Sequence, residues 1–353
     1  MDIKKSSDII QYLMDKKFSY PEKTYKLKNF AYFCYQGNRV EELEFIDTSE
    51  STNFSYMLDG CESLTSIPNL DTSKGTDFTD MFNGCFNLTS VPNLNTSKGV
   101  NFNRMFRYCK SLTSIPELDT SNGTNFTDMF SCCLKLASIP ELNTSKGVYF
   151  SGMFSSCNEL TFVPQLDTSN GIRFGEMFYN CYKLTSVPEL NTSNGTYFSK
   201  MFCNCQSLEE IPELDTGKST NFESMFIGCT NLKTIPKLDV SKGVYFNNMF
   251  KGCISLQNLY LYNIKQYITI GSGTEYGHQL TIDSLIHIIN ELQPVIVRQT
   301  LTMGGANIAK LDGLYCRIID ETNSKLPMVL CESTDEGAML VTDYITGKGW
   351  TYD

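Results

Sequence analysis

From Phe54 onward the chain places its apolar residues in one rhythm. The unit reads Phe-x-x-Met-Phe-x-x-Cys-x-x-Leu-x-x-Ile/Val-Pro-x-Leu, followed by a polar turn. Met recurs at every 24th position from Met57 to Met249, and Cys follows each Met four residues later. A fixed period of this length predicts a stacked solenoid, in which each unit packs mainly on its neighbours.

The unit 78–101 carries two different spacings. Phe78, Met81, Phe82 and Cys85 fall at i, i+3, i+4 and i+7, which predicts one face of a short helix. Asp77 or Thr76 is its expected N-cap, with Asn125 and Asn221 in the same role later. Leu88, Val91 and Leu94 then recur every third residue, with Pro92 among them. That predicts a short strand whose ladder is limited by Pro, which lacks a backbone donor. Asn95-Thr96-Ser97-Lys98-Gly99 reads as a turn, with Gly expected to supply a positive φ. Strands stack at about 4.8 Å and helices at about 10 Å, so the expected stack is curved. The fold class is therefore an α/β solenoid: a curved, leucine-rich-repeat-like stack of 24-residue units, each a short helix plus a short strand, capped at both ends.

Three regions follow. Residues 1–29 are expected to form an N-terminal cap helix, opened by Ser6 or Ser7 and carrying Ile9, Ile10, Leu13 and Met14. Residues 30–263 are the solenoid. Its first unit is degenerate, with Phe30, Phe33, Val40 and Ile46 on the core register and Asp47-Thr48-Ser49 as the turn. Nine regular units follow it. Residues 264–353 are a C-terminal α+β module that caps or docks. Thr281 should N-cap a helix bearing Ile282, Leu285, Ile286, Ile289 and Leu292, stopped by Pro294. Thr300–Met303 reads as a strand, 314–319 and 328–331 as a hairpin, and 335–345 as a last helix.

Charge narrows the partners. The net charge is −10 with a sequence pI near 4.9, and no basic cluster breaks it. Nucleic acid and anionic membrane are poor partners for such a chain. No segment reaches the 18 or so apolar residues that span a bilayer. The first residues show no apolar core of signal-peptide length before Asp15-Lys16-Lys17.

The 14 cysteines would suggest a disulfide framework, but nine share one register: Cys61, Cys85, Cys109, Cys133, Cys157, Cys181, Cys205, Cys229 and Cys253. On a helical edge they would sit about 10 Å apart, beyond the ~7 Å that a disulfide spans. A column of buried structural thiols is expected, suited to a reducing cytoplasm. Cys132-Cys133 and Cys203-x-Cys205 lack zinc-site geometry on a helix. Asp71-x-Ser73-x-Gly75-x-Asp77 resembles half a calcium loop, yet no bidentate Glu closes it. His278 and His287 are the only histidines, and neither lies in a triad or phosphate-loop pattern. No cofactor, metal or catalytic residue is assigned.

The motif Met-Phe-x-x-Cys-x-x-Leu-Thr-Ser-Ile/Val-Pro, followed by Leu-Asp-Thr-Ser and Asn-Phe, resembles the BspA-like leucine-rich-repeat surface proteins of bacteria and their phages. Leu280-Thr-Ile-Asp-Ser-Leu-Ile-His-Ile-Ile-Asn, Thr300-Leu-Thr-Met-Gly-Gly-Ala-Asn307 and Gly347-Lys-Gly-Trp350 look like the closing module of such proteins, frequent in phage structural proteins. The sequence departs from that module at roughly 313–333, where an insertion stands. The resemblance implies adhesion or host-surface recognition and carries over no catalytic residue.

Function must then lie where the repeat leaves residues free. One row is Asn69, Asn93, Glu117, Glu141, Gln165, Glu189, Glu213 and Lys237, beside the strand. Another is Asn101, Asn125, Tyr149, Arg173, Tyr197, Asn221 and Tyr245. Tyr, Arg and Asn together suit a recognition surface, including one that stacks on sugars; the alternative is a solvated ridge whose rings cover neighbouring units. A second period, of 48 residues, marks Tyr149, Tyr197 and Tyr245. The expected function is a non-enzymatic binding or structural protein. Its first expected setting is a phage virion, as tail fibre, baseplate or head decoration, contacting a host-surface glycan or protein or another virion protein. The alternatives are a bacterial cell-surface adhesin and a cytosolic scaffold. A homo-oligomer is compatible with each, though no coiled-coil heptads would hold one. The cap at 1–29 and the insertion at 313–333 are the expected docking elements.

Overall fold

A computed structural model describes residues 25–26, 46–265, 268–269, 280–292, 299–302, 307, 310–311, 314–318, 328–331, 339–348 and 350–352. The chain forms two compact units, Met1–Leu184 and Thr185–Asp353. The expected cap helix lies outside the described residues, except that β1 (Tyr25–Lys26) pairs in parallel with β2 (Ile46–Asp47).

In both units the 24-residue repeat makes one coil, but its amphipathic half is not a helix. Phe78 to Cys85 form overlapping turns, in which Met81, Asn83 and Cys85 donate to the carbonyls of Phe78, Asp80 and Phe82. The intervening N–H groups, of Phe78, Asp80, Phe82 and Gly84, donate to the next coil at Asn101, Asn103, Met105 and Arg107. Asp80 (φ 52°) and Gly84 (φ 73°) take left-handed conformations at the third corner of their turns, as type II turns require. The expectation of a short helix in each unit is thus corrected. The spacing i, i+3, i+4, i+7 is equally the spacing of successive three-residue turns. An isolated two-turn helix lacks the length to nucleate, while turns let every second N–H bond to a neighbour. Left-handed residues fall on the same two registers in each regular unit, from Tyr56 and Gly60 to Asn248 and Gly252.

Stacking follows from this path. The first Phe column, Phe54 to Phe174 in the first unit, has ring centroids 5.7–5.8 Å apart and planes within 13°. Phe198, Phe222 and Phe246 repeat it in the second, at 6.4 and 5.4 Å. A second column runs Phe82, Phe106, Phe130, Phe154 and Phe178. The turn edge therefore advances by 5.4–6.4 Å per coil, not by the ~10 Å of a helix, so the expected mismatch between the two edges is absent.

The Pro-containing edge carries few backbone bonds, such as Thr89 N–H to Thr65 O at 3.2 Å. Among the described residues the longest ladder on this edge lies in the second unit, where β3 (Thr234–Asp239) pairs in parallel with β4 (Asn258–Tyr262). There Tyr260 stands where earlier coils have Pro, and the register shifts between Ile235 and Leu238, around Pro236.

The closing region holds β5 (Ile268–Thr269), α1 (Ile282–Glu291), β6 (Gln299–Thr302), β7 (Tyr315–Ile318), β8 (Met328–Cys331), β9 (Met339–Leu340), α2 (Val341–Gly347) and β10 (Trp350–Tyr352). Thr281 caps α1 by accepting from Ser284 N–H. Parallel β10-β6-β5 and antiparallel β8-β7-β9 are its two sheets. The hairpin β7–β8 has the pairing read from the sequence, whereas α2 begins at Val341, after β9.

Candidate recognition surface

Identical side chains hold each coil from inside. Cys85 Sγ donates to Leu58 O at 3.2 Å, Cys109 to Phe82 O at 3.2 Å and Cys133 to Phe106 O at 3.1 Å. Cys157, Cys181, Cys229 and Cys253 do the same 27 residues back. Each thiol uses a carbonyl that already closes a turn of the preceding coil. All nine on this register are buried and free of disulfides, Cys61 and Cys205 included. Burial pushes seven of these thiols up, among them Cys85, Cys109 and Cys133, and Cys181 and Cys253 to about 12, so these stay protonated and unreactive. The coil spacing corrects the distance argument, since rungs this close fall inside the Cα range of a disulfide.

Sequence reading missed two inner features. Buried Thr72, Thr96, Thr120, Thr144, Thr192 and Thr216 each donate from Oγ1 to the carbonyl of the next coil's turn residue, all at 2.9 Å. The turn glycines do not supply positive φ. A Cβ on Gly75 would lie 2.6 Å from Phe78 Cζ, and Gly99 meets Phe102 in the same way. The repeated Thr-x-x-Gly was the available signal for both.

One polar cluster is also new. Asp80 is 1% exposed, with the Tyr56 side chain bonded to its carboxylate. Arg104 Nη2 lies 3.3 Å from it. Burial, only partly opposed by Arg104, pushes Asp80 up to about 6. Asp59 and Asp128 are raised as well, again mainly by burial.

The outward rows are separate from this scaffold. Glu117, Glu141, Glu189 and Glu213 are exposed. In the first unit Glu117 and Glu141 border a groove of about 650 Å³ with Asn95 and Asp119. In the second, Glu213 borders one of about 410 Å³ with Asp215, Lys237 and Asp239. The Asp119 carboxylate is already engaged: Oδ1 accepts from Ser121 Oγ at 2.6 Å and Ser121 N–H at 3.0 Å. These bonds hold it below the usual carboxylate range. Asp71 and Asp167 share that state with Ser73 and Ser169, so the half calcium loop is a closed Asx turn.

The second row lies where coils meet edge to edge. Asn101, Asn125, Tyr149 and Arg173 are joined by successive parallel bridges in the first unit, and Tyr197, Asn221 and Tyr245 in the second. Tyr149, Tyr197 and Tyr245 are 43%, 41% and 54% exposed. Arg173 is exposed too.

The closing module spends its polar residues on backbone. Lys348 Nζ donates to Leu292 O at 2.9 Å, Asn290 O at 3.2 Å and Ile289 O at 3.4 Å, capping α1. Asn307 Oδ1 accepts from Leu280 N–H at 3.0 Å, and Lys310 Nζ donates to Leu280 O at 2.7 Å. His287 Nε2 lies 3.0 Å from Leu261 O, edge-on to Tyr260 and Tyr262. His278 and most of the insertion at 313–333 lie outside the described residues. Among the described residues no helix is long and apolar enough to cross a membrane.

The family described as "Mycoplasma protein of unknown function, DUF285" matches residues 26–137, 86–187, 113–210 and 172–276, most of the chain. The chain belongs to this family. The tandem matches overlap as tandem repeats do, and the resemblance to BspA-like leucine-rich-repeat proteins holds at that level. No curated protein matches. Among solved structures, the chain is similar to the plant peptide hormone receptor RGFR1 in complex with RGF2, at 13% identity over 73% of this chain and 44% of that one. It is also similar to an internalin (inlF) from Listeria monocytogenes, at 11% over 76% and 78%, and to TLR13 in the TLR13–ssRNA13 complex, at 14% over 73% and 46%. All three superpose with a TM-score of 0.28. The chain spans less than half the length of the RGFR1 and TLR13 chains.

Proposed function

We propose that this DUF285 chain is a non-catalytic recognition protein that meets a glycan or protein of a host surface through the exposed rows of its units, Tyr149 and Arg173 in the first and Tyr197 and Tyr245 in the second. The observation that carries this is the exposure of three tyrosines on a register the core does not use. Aromatic rings and Arg on a rigid frame bind at low entropic cost, because the frame is ordered before contact. A second reading assigns the two grooves beside Glu117, Glu141 and Glu213 to a cationic segment of a protein partner, favoured by their recurrence on one register. Glu189 shares that register.

The setting we propose first is the virion, as a tail fibre, baseplate or decoration protein. The thiol column supports it, since a chain folded in host cytoplasm keeps its thiols reduced. A bacterial-surface adhesin is the alternative, and a cytosolic scaffold the third.

The test is binding of reduced, purified protein to intact bacterial cells and to a glycan array, beside the variant Tyr149→Ala/Tyr197→Ala/Tyr245→Ala. Saturable binding that the triple variant loses at unchanged melting temperature is expected. Binding that persists in the variant moves the site to the Glu grooves, and absence of binding to any surface ends the recognition reading.

A further inference from the structure

We infer that the row Tyr197–Asn221–Tyr245 of the second unit is built for a neutral, extended β-1,4-linked polysaccharide lying along the direction in which its coils stack, one disaccharide to every two coils. This rests on the recognition reading above and names its ligand class.

Spacing carries it. In the second unit parallel bridges join Tyr197 to Asn221 and Asn221 to Tyr245. Bridged backbones lie about 4.8 Å apart, so the two tyrosines stand roughly two such steps from each other. The core rings beneath them step by 6.4 and 5.4 Å. The separation is thus close to the length of a disaccharide in a fully extended β-1,4 chain, whose alternate sugars present the same face. An α-linked chain coils away from such a row.

The residue between the tyrosines is prepared as well. Asn221 Oδ1 accepts from Glu223 N–H at 2.9 Å, which fixes the amide and leaves Nδ2 as a donor. Asn101 and Asn125 are fixed in the same way, through Asn103 and Thr127 N–H. Rings stack on the C–H faces of sugars while amide donors reach hydroxyl or acetamide oxygens between them. Val244, 57% exposed, widens the apolar strip beside Tyr245. Net charge decides the ligand's charge: at −10 the protein repels polyanionic glycans and favours neutral ones.

The experiment is calorimetric titration of the full chain with β-1,4-linked N-acetylglucosamine and glucose oligosaccharides of increasing length. α-1,4-linked glucose oligosaccharides serve as the comparison. Affinity should rise from di- to tetra- to hexasaccharide in at least one β series and be absent in the α series. Tyr197→Ala and Tyr245→Ala should each weaken it about tenfold, the scale of one aromatic contact, and Asn221→Ala by less. Tyr245→Phe should keep affinity, which separates stacking from a loss of fold. Equal binding of α and β series, no dependence on length, or indifference to both Ala changes overturns the inference. If cells bind and the triple Tyr variant does not, while no β-1,4 oligosaccharide competes, the ligand class fails and the recognition reading stands. Length-dependent β-1,4 binding without cell binding has the reverse meaning.

Discussion

The turn edge around Phe126–Cys133 and the C-terminal end of α1 both bury polar backbone, and they satisfy it by opposite means. The repeat uses copies: two stacked rings, one thiol and one threonine per coil, each meeting only an adjoining coil. The end of α1 depends on one residue, Lys348, which reaches three carbonyls at once. The difference teaches where each region is fragile. A repeated contact can be lost at one rung while its neighbours hold, whereas a single clamp has no substitute.

Substitutions can break this comparison, beginning with the largest. Phe126→Ala removes a fully buried ring between two stacked neighbours and should cost about 3–5 kcal/mol, read as the shift in the urea midpoint. Hydrogen exchange should localise the damage to the adjoining coils. Lys348→Met keeps the stem but drops three charge-assisted bonds, and should cost about 2–3 kcal/mol. Here exchange should rise throughout α1 rather than at one turn. Equal spreading in both variants would erase the contrast. Cys133→Ala removes a small buried side chain and its weak S–H bond, for about 1–2 kcal/mol, with a similar value expected at Cys109 and Cys157 if the rungs are equivalent.

Acidity sharpens it. Burial lifts Asp80 from 3.8 to about 6 in the folded state. Between those values the folded chain holds a proton that the unfolded chain releases. Stability therefore falls as pH rises from about 4 to 6 and levels off above. Asp59 and Asp128, raised likewise, add to that slope. Asp80→Asn should flatten it in urea titrations taken across this range. The smallest effect is expected on the surface: Lys183→Ala breaks a half-exposed pair with Glu159 and should cost under about 0.5 kcal/mol.

The period and the core register were legible because 24-residue spacing repeats without interruption. The helix was misread because turns and helices share a three- to four-residue rhythm. The correcting cue was the residue before six of the nine ladder Cys: Gly60, Gly84, Gly228 and Gly252 with Asn180 and Asn204, residues that tolerate left-handed backbone and weaken helices. Thr281 announced its helix by local chemistry. Lys348 could not be foreseen, since its partners lie 56 to 59 residues away in sequence. Of the recognition row, composition was legible, while exposure and the fixed amide of Asn221 depend on tertiary placement.

The direction of the bonds has one more consequence. On the turn edge, N–H groups of one coil point toward the following coil, as Phe78 does to Asn101. On the Pro-containing edge they point back, as Thr89 does to Thr65. The thiols point back as well, and the threonines forward. Peptide dipoles that add head to tail along a helix here run in opposition and largely cancel, as they do in sheets. Within each unit, adding a coil therefore accumulates no end charge, and the array can lengthen by duplication without an electrostatic penalty growing with it.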